Sequence, residues 1–194
     1  MNRFQMIAIT GMAVFYLAYF LKAILQRGKG IQTRQMGGSS KAAEMRRVER
    51  ILEIATLLVP AVELASILLN TSRYFGNPLR YFGLALVWAG DVFFILAMRT
   101  MRDSWRAGIP QTDKTELITG GIYRLSRNPA FLGFDLTYIG LYLAFDNVIL
   151  LAASLFAVMA LHLQILEEEK FLEARFGEKY LEYKKKTGRY FIFL

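Results

Sequence analysis

Two short stretches of this 194-residue chain carry side chains suited to chemistry. The first is Gly-Gly-Ile-Tyr-Arg-Leu-Ser-Arg-Asn-Pro, residues 120–129, which runs from glycine and charge straight into an apolar segment. Asn128 is a favoured N-cap, whose side-chain oxygen accepts a backbone N–H of the first helical turn. Pro129 suits the first helical position, where its missing N–H would be unsatisfied anyway. A helix start beside Arg124 and Arg127 suits an anion, because the first-turn N–H groups and the helix dipole favour negative charge. Arg127 can also grip a carboxylate with two parallel hydrogen bonds. The same residues serve equally as a capped membrane-helix start with both arginines on lipid phosphate. The second stretch is Glu167-Glu168-Glu169, at the end of the last apolar segment. Carboxylates there are costly in lipid and stable against water or a cation. Glu169, Leu172, Phe176, Tyr180 and Tyr183 follow at steps of three or four and would share one helical face. Gly177 predicts a break near residues 176–177.

Both stretches need elements to bring them together, and composition says which kind. The chain is 55% hydrophobic with a mean hydropathy of +0.31, which fits an integral membrane protein. Five apolar segments stand out: 4–25, 51–69 with Pro60 inside it, 79–98, 129–145 and 148–166. They predict an all-α polytopic bundle of about five transmembrane helices with a cytoplasmic helical tail. Only Asp146 and Asn147 separate the last two segments, which forces an antiparallel helical hairpin. The fourth segment would span roughly 25 Å at ~1.5 Å per residue, slightly short of a ~30 Å hydrocarbon core. The first segment is long, and YLAYFLKAIL offers no small-residue cleavage site, so a span is expected there rather than a signal peptide.

The net charge is +8. In a membrane chain this points to anionic headgroups and to orientation, not to nucleic acid. Twenty Lys and Arg fall in residues 26–50, 99–128 and the tail after 166, against Arg3, Arg73 and Arg80 on the other side. That asymmetry predicts an N-terminus outside and a cytoplasmic C-terminus. A membrane of the bacterial inner type is the expected location. The asymmetry also puts Arg127 and the glutamates on one face. With no cysteine and one histidine, thiol chemistry is excluded and a His- or Cys-based metal site is not expected. Glu63, Asp91, Asp135 and His162 lie inside spans and are expected to face the interior or water. Glu63 is expected to pair with a basic group or sit near the outer interface. Asp135 has either a pocket role or a structural pairing, and His162 is read as a satisfied interior residue. Phe15, Tyr16, Tyr19, Tyr138 and Tyr142 are read as packing or interface anchors.

Together these features resemble the membrane methyltransferases of the isoprenylcysteine carboxyl methyltransferase family, which is similar to the phospholipid N-methyltransferases. The residues that carry the resemblance are Gly121-Ile122-Tyr123, Arg127-Asn128-Pro129, Glu168-Glu169 and Phe176-Gly177-Glu178-Lys179-Tyr180-Leu181-Glu182-Tyr183. Ser104-Trp105 resembles a family Ser/Asn-Trp element, and Thr187-Gly188-Arg189 its terminal element. The resemblance runs over residues 102–189 and implies three N-terminal helices (1–100) followed by a catalytic region (101–194). It implies S-adenosylmethionine as methyl donor and a lipophilic acceptor taken from the membrane. Carried over residue by residue, it implies catalytic roles for Arg127, Asn128, Glu168 and Glu169. It implies donor binding by these four with Trp105, Gly121, Tyr123 and Pro129. The chain departs from the pattern at Asn128, where the family commonly has His, and at Phe131, where it commonly has Tyr. Loss of the imidazole puts the acceptor class in question: prenylated cysteine, a phospholipid amine, or a small amine or thiol. Two other functions fit the same architecture, an NADPH-dependent membrane reductase and a non-catalytic lipid-binding protein.

Overall fold

A computed structural model describes residues 1–37, 41–72, 77–110 and 116–191. The described residues form six α-helices: α1 (Arg3–Arg27), α2 (Ala43–Leu68), α3 (Asn77–Met101), α4 (Pro129–Ala144), α5 (Val148–Phe176) and α6 (Glu178–Lys186). Short 3₁₀ turns at Arg102–Ser104 and Gly121–Arg124 bracket the connection from α3 to α4. Helices spanning Arg3–Arg27, Ala43–Leu68, Asn77–Ser104 and Val148–Phe176 are long and apolar enough to cross a membrane. α4 has 16 residues, about 24 Å, and is the short member as expected.

Local chemistry explains the helix ends. The Asn2 side chain accepts the Gln5 backbone N–H at 3.0 Å while the Gln5 side chain accepts that of Asn2 at 2.7 Å, a reciprocal cap. Asn147 starts α5 by accepting the Leu150 N–H at 2.9 Å, and its amide donates to Ser66 and Thr71, tying the α4–α5 hairpin to the end of α2. The break between α5 and α6 falls at Gly177, whose φ of +53° few side-chain-bearing residues adopt. Pro60 does not interrupt α2.

Packing is uneven. α3 and α4 run antiparallel with glycine against glycine, Gly83 facing Gly140 and Gly90 facing Gly133. A Cβ at Gly83 would stand 2.5 Å from the Gly140 carbonyl, and one at Gly90 2.5 Å from that of Gly133. In each helix the two glycines are seven residues, or two turns, apart. Small residues at such a seam let backbones approach where no hydrophobic effect separates helix from lipid. α5 packs on α2, and α1 on α3. At the end of the bundle that holds the N-terminus, the Gln5 amide donates to the carbonyls of Ile67 and Leu68 at 2.9 and 3.0 Å. Arg80 does not reach out as a free cation there. It is buried, donates to Ala144 O and Asn70 Oδ1 at 2.8 Å each, and lies 4.1 Å over the Phe4 ring. Arg73 and residues 38–40 of the Gly-Gly-Ser-Ser stretch lie outside the described residues.

Candidate active site

The two stretches that carry chemistry meet. Arg127 Nη2 lies 2.8 Å from Glu169 Oε1, and both side chains are buried. Arg127 Nη1 donates to Thr187 O at 2.5 Å and Lys184 O at 3.3 Å, and its backbone N–H to Gly188 O at 3.0 Å. Arg189 closes the other side of Glu169, Nη2 to Oε2 at 2.9 Å. One carboxylate therefore sits between two guanidiniums, which leaves net positive charge at the start of α4. The hydrogen bond to Glu169 raises the Arg189 pKa, so the cation persists across the working pH range.

Asn128 occupies the N-cap position and Pro129 the first helical position, as the sequence predicts, but the Asn128 side chain makes no cap bond. Its amide turns to Glu169 Oε1 at 3.4 Å and Arg189 O at 3.2 Å. The C-terminal strap, residues 187–191, brings the Arg189 carbonyl to this point, and the amide goes to it. Ser126 Oγ accepts the Asn128 N–H at 3.0 Å and donates to Arg189 O at 3.0 Å, fixing the residue that precedes α4 to the C-terminal segment.

The three glutamates part company. Glu167 pairs with Lys170 at 2.6 Å, Glu169 with the arginines, and Glu168 accepts from Gln164 Nε2 at 3.3 Å and faces a cavity. Successive helical positions point about 100° apart, so one run of like charge serves three environments. The tail packs as its spacing predicts: Tyr180 and Tyr183 are buried with Tyr123 and Ala97, and Leu172 and Phe176 pack on them. Burial raises the pKa of Tyr123 and Tyr183, and pushes Tyr180 up to about 12, so all three stay neutral. Tyr183 donates to Tyr123 O at 2.6 Å, and Gly121 (φ +59°) lets the chain turn close against Thr100.

The cavity has a volume of about 550 Å³. Trp105, Tyr123, Arg127, Asn128 and Glu168 line its polar end. Gly121, Pro129 and Glu169 lie behind that wall and position it. Two lining residues carry buried polar atoms without a partner among the described residues, Arg127 Nε and Gln164 Oε1. A buried unsatisfied donor and acceptor are costly unless a ligand meets them. The rest of the cavity is apolar and aromatic: Phe15, Tyr16 and Tyr19 from α1, Phe134 and Tyr138 from α4. In the sequence most of these read as packing, and no periodicity separates a ring on a cavity wall from one in a core. Phe15 does both, stacking on Phe94 at 4.2 Å.

The roof was also unannounced by sequence. Residues 33–35 pair with Ala107, Gln35 N to Ala107 O at 2.8 Å and Ala107 N to Thr33 O at 2.9 Å. Glu49 pins both loops, accepting from Gly37 N at 2.8 Å, from Ile109 N at 3.4 Å and from Lys41 Nζ at 2.5 Å. Trp105 is held through its carbonyl, which accepts from Gln26 at 2.9 Å.

Of the polar residues inside the spans, Asp135 does not line the cavity; it lies toward Tyr190, whose hydroxyl is 2.7 Å from His162 Nδ1. His162 is thus a partnered residue, as expected. Glu63 and Asp91 are buried, and among the described residues Glu63 Oε1 and both Asp91 oxygens lack partners. Among the described residues, no three His, Cys, Asp or Glu side chains converge on a metal position.

A sequence profile of the phospholipid methyltransferase family matches residues 74–179, which contain α3, α4, α5 and the polar end of the cavity. The chain belongs to this family. It is 36% identical over 116 residues to a protein-S-isoprenylcysteine O-methyltransferase of Xenopus laevis, an alignment covering 57% of this chain and 40% of that one. It is 35% identical over 110 residues to a probable enzyme of that name from Oryza sativa subsp. japonica, covering 55% and 58%. A Saccharomyces cerevisiae protein of the same name is 34% identical over 110 residues, covering 55% and 46%. The chain thus spans roughly half the length of these family relatives. α1, α2 and the loop between them lie outside the profile match.

Proposed function

We propose that this protein is an S-adenosylmethionine-dependent membrane methyltransferase acting on a lipophilic acceptor. The observation that carries the reading is one cavity with two chemistries. Its polar end holds Glu168, the aromatic faces of Trp105 and Tyr123, and the unsatisfied Arg127 Nε; the remainder is apolar. That polar end fits the donor. Glu168 and the aromatic faces suit its ammonium and sulfonium cations, and Arg127 with Asn128 suits its carboxylate. The bound donor supplies an electrophilic methyl group on a sulfonium, which an acceptor lone pair takes as the thioether departs. The residues of the chain orient the reactants and exclude water, and in methyl transfer to an existing nucleophile these supply most of the rate. Asn128 serves this role without a titratable ring. The names of the relatives favour a prenylcysteine carboxylate, and the family description a phospholipid.

Five spans, with the N-terminus outside and the strap and polar end at the cytoplasmic face of a bacterial-type inner membrane, complete the reading. Residues 1–100 form the first three spans and 101–194 the catalytic region. A reporter fused to the C-terminus should signal from the cytoplasm; an external signal reverses the topology.

The direct test is calorimetric titration of the detergent-purified protein with S-adenosylmethionine, with NADPH beside it. Saturable S-adenosylmethionine binding, weakened tenfold or more in Arg127→Ala and in Glu168→Gln, supports the reading. Glu168→Gln changes a cavity-facing group and keeps its shape, so it guards against misfolding of the buried Arg127 variant. No binding of S-adenosylmethionine by the unmodified protein, or binding of NADPH instead, rejects it.

A further inference from the structure

The cavity has walls of two origins. α4 and α5 lie inside the family match, whereas α1, α2 and the loop between them do not. On this second wall, Tyr19 and Phe20 of α1, Glu53, Thr56 and Leu57 of α2, and Arg34 of the loop line the cavity. Phe20 and Leu57 are at the same time 57% and 77% exposed, so the cavity opens sideways here, between α1 and α2. Glu53 stands at the start of the apolar run of α2, and Lys22 of α1 donates back to Arg102 O at 2.5 Å. Both mark the depth of lipid headgroups.

Arg34 is built into this rim. Its backbone is fixed by the pairing with Ala107, while its side chain, 64% exposed, reaches Glu53 Oε1 at 2.5 Å. An exposed ion pair of this kind adds little stability, so exchanging its partner is easy. The other arginines on the cavity wall are engaged away from this rim: Arg106 Nη1 donates to Asp103 O and Trp105 O, and both Nη atoms of Arg127 are taken by Glu169 and the strap, leaving only its Nε at the polar end. A guanidinium at headgroup depth, beside a lateral opening and above an apolar cavity, matches an amphiphile with an anionic group next to its chain.

We infer that Arg34 reads the acceptor: an amphiphile bearing a carboxylate or phosphate enters between α1 and α2, its chain along Phe20 and Leu57, and its anion displaces Glu53 from Arg34. Glu53 then acts as an internal competitor that holds Arg34 until an incoming anion displaces it. Such a rim names the acceptor class for the methyl-transfer reading, and it rests on that reading only for the chemistry after binding.

The test uses the full chain in detergent and three farnesyl compounds: S-farnesyl-N-acetylcysteine, its methyl ester, and farnesyl phosphate. Binding is read directly by calorimetry, with no turnover required. Both anions are expected to bind at least tenfold tighter than the ester, with the tighter anion identifying the headgroup as carboxylate or phosphate. Arg34→Ala should remove that preference and leave the ester unchanged, and Glu53→Gln should strengthen anion binding several-fold. The double swap Arg34→Glu with Glu53→Arg keeps an ion pair but moves the cation. Anion binding that stays weak in the swap supports a reading role, and recovery to the unmodified level shows that the pair merely ties the loop to α2. Equal binding of acid and ester by the unmodified protein also overturns the inference. S-adenosylmethionine binding is measured on the same samples. Its absence in the unmodified protein rejects the methyltransferase reading and leaves the anion result standing.

Discussion

α3 and α4 meet backbone to backbone, whereas α1 and α2 touch each other far less and leave an opening beside Phe20 and Leu57. The first pair is held by four glycines whose carbonyls and Cα atoms occupy the space side chains would fill. The second is tied at one end by Gln5 of α1 on the carbonyls of Ile67 and Leu68, while at the other end Glu49 of α2 holds Lys41 of the connecting loop. The difference divides labour. The α3–α4 seam sets where Arg127, Asn128 and Tyr123 stand, and a displacement there would disturb the polar end of the cavity. The α1–α2 side holds the lateral opening, and its loop carries Arg34 at the rim. The family match falls on the first region and misses the second.

The largest effect should come from Glu49→Ala. Glu49 and Lys41 are an ion pair whose side chains are 0% and 2% exposed, and Glu49 also receives the N–H groups of Gly37 and Ile109. Removing one partner of a buried pair leaves an uncompensated charge and costs about 3–5 kcal/mol. The roof should loosen, with a marked fall in thermal stability in detergent and a larger loss of acceptor than of donor affinity. Equal loss of both would mean that the two halves do not divide the work.

Next in size is the glycine seam. Gly90→Ala places a methyl group against the Gly133 backbone, which cannot step aside, and overpacking of this kind costs about 1–3 kcal/mol. Gly11→Ala is the control, because its Cβ meets the Val87 side chain at 2.8 Å, and a side chain can shift. Melting in detergent should fall further for Gly90→Ala than for Gly11→Ala. The reverse order would show that α1, not α4, is the rigid neighbour of α3.

The smallest effect lies at the surface. A hydrogen bond from Lys29 holds the Asp103 carboxyl below its ordinary pKa. A depressed carboxylate contributes stability that is present above its unfolded pKa of about 4 and is lost as pH falls through the depressed folded value. Lys29→Ala should raise the Asp103 pKa, read by NMR, and remove a contribution already screened by salt. No pKa change in the variant would place Lys29 elsewhere in solution.

Particular residues show how far the sequence was readable. The five apolar segments, the hairpin at Asp146-Asn147 and the break at Gly177 all follow from local pattern. Capping chemistry, hydropathy and helical spacing act over a few residues, so they leave a trace in a few residues. Asn128 was readable as a helix start and unreadable as a ligand of Glu169 and Arg189 O, because the competing acceptors arrive from 41 and 61 positions away. The glycines of α3 and α4 are plain in the sequence, yet a seam exists only when two helices lie antiparallel in one register.

By itself, then, the sequence determined a helical bundle with membrane-length apolar helices and its likeness to membrane methyltransferases, since these depend on composition, spacing and motif. Only the tertiary structure decided which carboxylate meets the arginines, which faces the cavity and which aromatic rings are walls. It also decided that an opening between α1 and α2 carries Arg34 at its rim. Those outcomes depend on contacts between segments distant in the chain, where hydrogen-bond geometry and close packing select among partners that are equivalent in one dimension.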